Sequence, residues 1–370
     1  MNPLQGYFDM IPNSSEEYIK QLNETYHIKG IESFEGAVIF GTAQLGRKFI
    51  KAFMRLGVRI SFFSDNDSSS WGTDIEGVKV IPPTQIDNHQ IVIVASKFIK
   101  EIYAQLEISG HERIVPHYVL SILFPGEFPS DVHQTIFPLL ENDQETIRKV
   151  YELLCDNESR DLFLKILKFR VSLLPIDLPN YVQEQYYPGY FWKLNEQETY
   201  IDVGAFDGDT LTQFLRHTNN FSRYIALEPD SLSFAKLLNK IPQVYSNKIT
   251  AICAGAGERA GTASFYSNGL DDARVIDGGS NIIRVLALDD EFIQEPVTTI
   301  KMDVEGYEPF VLAGSRNIIT LKKPKLAVCV YHKPWHLWEL PSLISSFRDD
   351  YHFYLRHHEK ELFGTVLYAI

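Results

Sequence analysis

The chain has 370 residues, 45% hydrophobic and 22% charged, a balance that sustains a buried core and excludes wholesale disorder or a fibrous fold. Its 35 basic and 48 acidic side chains leave a formal charge of −13, which repels phosphate backbones and acidic membrane surfaces, so no nucleic-acid partner is expected. Three widely spaced cysteines, Cys155, Cys253 and Cys329, form neither a disulfide framework nor a zinc spacing. No basic start precedes an apolar block and no run of about 18 apolar residues occurs, so no membrane span is expected and the expected location is the cytoplasm.

At roughly 150 residues per domain the length predicts two domains and a connector. The apolar run Ala37 to Phe40 is followed by a glycine-bearing turn, an amphipathic stretch Phe49 to Leu56, a second run Arg59 to Phe63, and Asp65-Asn66-Asp67. That is strand, helix, strand, and Gln90 to Ala95 with Phe98 to Leu106 repeats the alternation that builds a parallel sheet. The turn Gly41-Thr42-Ala43-Gln44-Leu45-Gly46 carries two glycines rather than the three of a dinucleotide fingerprint, and Asp65 lies about 24 residues beyond it. Residues 1–124 thus form an N-terminal Rossmann-like α/β domain, which resembles the small domains attached to some sugar-modifying enzymes. The resemblance implies a site for a nucleotide or nucleotide-sugar, and a degenerate docking scaffold stands equally beside it.

Residues 125–195 read as a helical connector, because Thr146 to Leu154 and Leu162 to Leu173 place apolar residues at three- and four-residue spacings. It ends in an aromatic cluster, Tyr181, Tyr186, Tyr187, Tyr190, Phe191 and Trp192, broken by Pro188-Gly189. The cluster suits either a hydrophobic plug between the domains or a lid over a substrate cleft.

Across residues 196–370 strands are read at Tyr200 to Val203, Tyr224 to Leu227, Ile249 to Ala254, Thr298 to Met302, Leu326 to Tyr331, His352 to Leu355 and Thr365 to Ala369. Amphipathic segments fall between most of them, at Leu211 to Leu215, Phe234 to Leu238, Phe310 to Ile319 and Leu337 to Phe347. The last two strands are joined by too short a stretch for a crossover helix, so the final strand is expected to run antiparallel to its neighbour.

The chemistry concentrates where these strands end. After the first, Asp202-Val203-Gly204-Ala205-Phe206-Asp207-Gly208-Asp209 has glycines that permit a tight turn and Asp209 placed to cap the next helix. Its three carboxylates suit a cationic ligand better than a pyrophosphate. Glu228-Pro229 ends the second strand, about 26 residues after Asp202, near the offset at which an acid meets ribose hydroxyls. In the fourth strand Ile300, Met302 and Val304 share one face, and Lys301, Asp303 and Glu305 the other. A lysine inside a central strand calls for a carboxylate partner, and a charged cluster at a sheet end is a candidate functional site.

These motifs, with Ala287-Leu288-Asp289-Asp290 and Ile300-Lys301-Met302-Asp303-Val304-Glu305-Gly306-Tyr307-Glu308, resemble the FkbM family of class I S-adenosylmethionine-dependent methyltransferases over roughly residues 186 to 370. The resemblance implies a Rossmann-like seven-stranded sheet with its last strand pair antiparallel, and S-adenosylmethionine across the C-terminal ends of the first strands. It assigns Asp202, Gly204, Phe206, Asp207 and Gly208 to the cofactor loop and Glu228 with Pro229 to the ribose. Ala254 and Gly255 would lie by the adenine, although this chain has Ile252-Cys253 where an Asn often precedes that position.

Methyl transfer is an in-line displacement at a sulfonium, and a sugar-type hydroxyl must lose its proton as it attacks. The candidate bases are Asp303 first and His332 second, in a catalytic group with Glu305 and Lys301. Asp303, Glu305 and Asp289-Asp290 offer the hard oxygens that magnesium takes, yet nothing in the spacing demands an ion and none is expected. The resulting expectation is O-methylation of a hydroxyl on a sugar, glycan or other polyhydroxylated metabolite, the acceptor class resting on family analogy. Two other readings are kept open: a nucleotide-dependent oxidoreductase or epimerase acting from the N-terminal domain, and a non-catalytic cofactor-binding scaffold.

Overall fold

A computed structural model describes residues 3–128, 143–182, 184–266, 274–275, 281–360 and 363–370. The chain forms two compact units, one of residues 1–144, 164–180 and 360–362, the other of 145–163, 181–359 and 363–370. Residues 125–195 therefore contribute to both.

The first unit is built on a six-stranded sheet of β1 (Val38–Phe40), β2 (Phe62–Ser64), β3 (Asp74–Ile75), β4 (Val78–Ile81), β5 (Val92–Val94) and β6 (Ile114–Pro116). The order is β3-β4-β2-β1-β5-β6, parallel except for the β3–β4 pair. β1 is buried along its length, as are β5 and β6, the mark of parallel strands covered on both faces. The second apolar run, read at Arg59 to Phe63, is a strand only at Phe62–Ser64. The β3–β4 hairpin, which turns at Glu76-Gly77 with φ of 52° and 81°, and β6 are too short to give a periodic signal in the sequence.

The second unit carries a seven-stranded sheet: β7 (Thr199–Val203), β8 (Arg223–Leu227), β9 (Ile249–Ile252), β14 (Thr299–Met302), β15 (Lys325–Cys329), β16 (Phe353–His357) and β17 (Thr365–Ala369). Its order is β16-β17-β15-β14-β7-β8-β9, and β17 runs antiparallel to both neighbours, as the short final connection requires. Strands β7 and β14 lie side by side, with Lys301 opposite Asp202 in register. A second sheet, unforeseen in the sequence, orders β10 (Gly255–Ala256), β13 (Asn281–Leu286), β11 (Gly261–Tyr266) and β12 (Arg274–Val275). β13 is half exposed: Ile283 and Val285 are buried while Ile282 is 77% exposed, and such an alternation is weak beside the apolar runs of the main sheet.

Several boundaries differ from the sequence reading: the strand expected to reach Tyr331 ends at Cys329, and the one expected over His352 to Leu355 runs Phe353–His357. The strand expected to reach Ala254 ends at Ile252. The helix expected over Phe310 to Ile319 is two helices, Glu308–Ala313 and Arg316–Lys322, parted at Gly314, where a Cβ would lie 1.9 Å from the Gly257 carbonyl oxygen. Of the aromatic cluster, Tyr186, Tyr187 and Trp192 are buried in this unit's core and Tyr181 and Tyr190 are exposed. Arg356 of β16 holds Asp156 at 2.7 Å and Glu158 at 3.0 Å, fixing the start of the helix Asn157–Ser172.

Candidate active site

The parallel strands β7, β8 and β14 deliver their C-terminal ends to one cleft, where an open α/β sheet binds its ligands. The cleft has a volume of about 220 Å³. The loop after β7 makes its floor. Gly204 has φ +76°, and a Cβ there would stand 1.8 Å from the Asp303 carbonyl oxygen, so the loops after β7 and β14 touch backbone to backbone only because residue 204 is glycine. Gly204→Ala is expected to lower the stability of this unit by roughly 2 to 4 kcal/mol, read as a shift in its urea midpoint; an unchanged midpoint would refute the contact.

Beneath the loop, Asp202 is fully buried and meets Lys301 Nζ at 3.1 Å, and the Tyr224 hydroxyl donates to its other oxygen at 2.6 Å. Lys301 also donates to the Gly204 carbonyl at 2.6 Å. Burial alone would pull the Lys301 ammonium down, but Asp202, Asp303 and Asp209 push it up, so the lysine is a fixed positive charge under the loop. Burial raises the Asp202 carboxyl against the pull of Lys301 and Tyr224. The predicted cap is corrected: Gly208, with φ +84°, occupies the N-cap position, and Asp209 is the first helical residue, its carboxylate accepting from the Thr210 amide at 2.8 Å.

At the end of β8, Glu228 spans the loop: one oxygen accepts from the Phe206 amide and the other from the Asp230 amide, both at 2.8 Å. It is 5% exposed, and burial pushes its carboxyl up to about 7. Gly204, Phe206, Glu228, Pro229 and Gly255 line the cleft. Asp202, Asp207, Gly208 and Ala254 do not; Asp207 instead pairs with Lys240 at 2.8 Å. Phe265, Ile283 and Val285 of the small sheet add an apolar wall, which sequence reading missed because those strands gave no continuous apolar run.

At the end of β14 the Asp303 carboxylate accepts from the Tyr186 hydroxyl at 2.8 Å and the Tyr331 hydroxyl at 3.2 Å and stays 23% exposed to the cleft. His332, 6% exposed, lies behind it, with Nε2 3.3 Å from Asp303 and 3.5 Å from Glu305. The His332 Nδ1 meets Glu308 at 2.7 Å, and His336 stands 3.3 Å from the other Glu308 oxygen. Burial works against a charge on His332, but Glu308, Glu305 and Asp303 outweigh it and raise the imidazole well above its ordinary value; the field there favours positive charge. Burial likewise opposes ionisation of Glu308, yet the two histidines hold it well below the carboxylate range. Asp303, Glu305, Lys301 and His332 thus come together at one strand end. Glu308, present in the motif without an assigned role, joins them from below.

In the first unit the Gly41 turn is tight: a Cβ on Gly46 would lie 2.0 Å from the Gly41 carbonyl oxygen. Asp65 accepts from both the amide and the hydroxyl of Thr42, at 2.9 and 2.6 Å, so the acid that a nucleotide's ribose would need is engaged within the loop.

The strand order, the single antiparallel strand and the cleft over β7, β8 and β14 define a class I methyltransferase fold. Residues 202–360 match the family model of the methyltransferase FkbM domain. A crystal structure of methyltransferase FkbM from Methylobacillus flagellatus KT is similar with a TM-score of 0.77 over 99% of this chain and 98% of that one, at 20% identity; a likeness at that identity concerns the fold. Aeropyrum pernix fibrillarin with natively bound S-adenosyl-L-methionine matches 48% of this chain and 69% of its own at 12% identity and a TM-score of 0.31. An rRNA methylase from Streptococcus thermophilus matches 48% and 87% at 10% identity and a TM-score of 0.30. No curated protein sequence matches the chain. No helix among the described residues is long and apolar enough to cross a membrane.

Proposed function

We propose that the C-terminal half methylates a hydroxyl oxygen of a sugar or other polyhydroxylated acceptor, with Asp303 as the general base. The observation that carries the proposal is the placing of Glu228 and Asp303 at the ends of β8 and β14 in one cleft, on either side of the Gly204 loop. The residues fit S-adenosylmethionine: a buried acid for ribose hydroxyls, a glycine loop for close backbone approach, and the Phe265, Ile283 and Val285 wall beside Gly255 for adenine. Bound there, it supplies an electrophilic methyl group on sulfur. Asp303 stands partly exposed, fixed by two tyrosine hydroxyls, so it can take the acceptor proton without reorienting. His332 has its Nδ1 committed to Glu308 and is nearly closed off from the cleft, which favours Asp303 over His332 as the base.

Titration calorimetry of S-adenosylmethionine tests the donor half of the proposal. Glu228→Ala is expected to weaken binding by about 10- to 150-fold, the loss of about 1.5 to 3 kcal/mol for a charged acceptor; no binding by the folded chain would overturn it.

Glu228 also sets a pH dependence. Its folded pKa lies above its ordinary value of 4.5, at about 7, so its contribution to the stability of the free protein is complete below about 4.5 and is lost as the pH rises through about 7. Ribose hydroxyls donate to the ionised form. Cofactor affinity is therefore expected to rise up to about tenfold between about pH 6 and about pH 8, and to lose that rise in Glu228→Gln. A wild type with the same profile as the variant would remove Glu228 from the ribose.

A further inference from the structure

Asp303, Glu305 and His332 present one donor atom each, all within 4.8 Å of one another. His332 Nδ1 is taken by Glu308 at 2.7 Å, which turns the other ring nitrogen towards two carboxylates, Asp303 at 3.3 Å and Glu305 at 3.5 Å. That nitrogen is buried and makes no hydrogen bond among the described residues, although the ring is only 6% exposed and a polar atom so deeply buried ordinarily has a partner. With the Nδ1 proton on Glu308, Nε2 faces two carboxylate oxygens, an arrangement that a positive centre there, a proton or a metal ion, stabilises.

We propose that Asp303, Glu305 and His332 form a binding site for one divalent transition-metal ion, oriented by Glu308 and opening on the cleft. Donors about 2.1 Å from a metal lie about 3 Å apart when they are neighbours in its coordination sphere, and the His332 separations of 3.3 and 3.5 Å need only a small contraction to reach that. Two carboxylates and one imidazole suit manganese, iron or zinc better than magnesium, which takes oxygen almost alone. Glu308 fills the place of the carboxylate that commonly fixes a ligand histidine through its second nitrogen; buried and held by His332, His336 and the Val304 amide, it fixes the ring before any ion arrives. Asp303 and Glu305 are partly exposed, so positions on the ion remain free on the cleft side. An acceptor hydroxyl placed there would be acidified by the ion; this last role, unlike the site itself, rests on the methyl-transfer reading.

The probe is Mn²⁺, followed by calorimetry and by the electron paramagnetic resonance of free Mn²⁺, on the tag-free, chelator-treated full chain. One ion per chain is expected, with affinity reduced at least about tenfold in both Glu305→Gln and His332→Asn. Glu305 is the more exposed, and its variant serves where the buried histidine variant does not fold, with Asp303→Asn as the second. The absence of saturable binding, or an affinity that either folded variant leaves unchanged, would overturn the site. S-adenosylmethionine is titrated into the same samples. Cofactor binding without Mn²⁺ binding removes the metal site and leaves methyl transfer standing, whereas Mn²⁺ binding without cofactor binding does the reverse.

Discussion

Replacing Lys301 by methionine is expected to cost the second unit about 3 to 5 kcal/mol of stability, because it strands a buried carboxylate without its counter-charge. Asp202 is fully buried, and its remaining partner is a single tyrosine hydroxyl at 2.6 Å. The ammonium also holds the Gly204 carbonyl, so the loop loses its anchor in the same substitution. Adding Asp202→Asn to Lys301→Met removes the stranded charge and is expected to restore most of the loss, since a neutral buried pair carries no such penalty. Equilibrium urea unfolding of the wild type, the single variant and the double variant measures this directly. A single variant within about 1 kcal/mol of wild type would mean that the pair is not a structural charge pair.

Asp303→Asn is expected to reduce turnover by about 10² to 10⁴, the range a positioned general base supplies, and to change cofactor affinity by no more than a few-fold. Asparagine keeps the shape, and because Tyr186 and Tyr331 meet different Asp303 oxygens its carbonyl accepts from one hydroxyl while its amide donates to the other; the substitution removes the base with the least change of geometry. Single-turnover kinetics with a methylated product and calorimetry with S-adenosylmethionine separate the two quantities. A proportional loss of both would make Asp303 a structural residue of the donor pocket.

The parts of the fold that spoke through the sequence are those with one unbroken apolar signal. β7, β8, β14 and β15 are buried almost along their length, and their apolar runs mark them without help from periodicity. The small sheet was silent because β13 buries one side only: Ser264 and Ile282 are neighbours in register and Ile282 faces outward. Glu228 and Asp303 were legible because both sit at strand ends, where local pattern and chemistry coincide. The pairing of His332 with Glu308 was not, since it joins residues 24 positions apart whose meeting depends on the turn after β14. Asp209 misled as a helix cap because Gly208 takes the left-handed conformation one residue earlier, a backbone preference that outranks a polar side chain there.

Tyr186 carries the Asp303 site ahead of the sheet. It lies ahead of β7, its backbone amide donates to the Tyr368 hydroxyl at 3.0 Å, and its own hydroxyl reaches Asp303 at 2.8 Å. An excised fragment starting at Thr199 would retain every strand of the seven-stranded sheet and yet lack one of the two hydroxyls that hold Asp303. The sheet and the Asp303 site therefore have different first residues, and a transplant of this domain into another protein must carry the aromatic segment, which also fills part of its core.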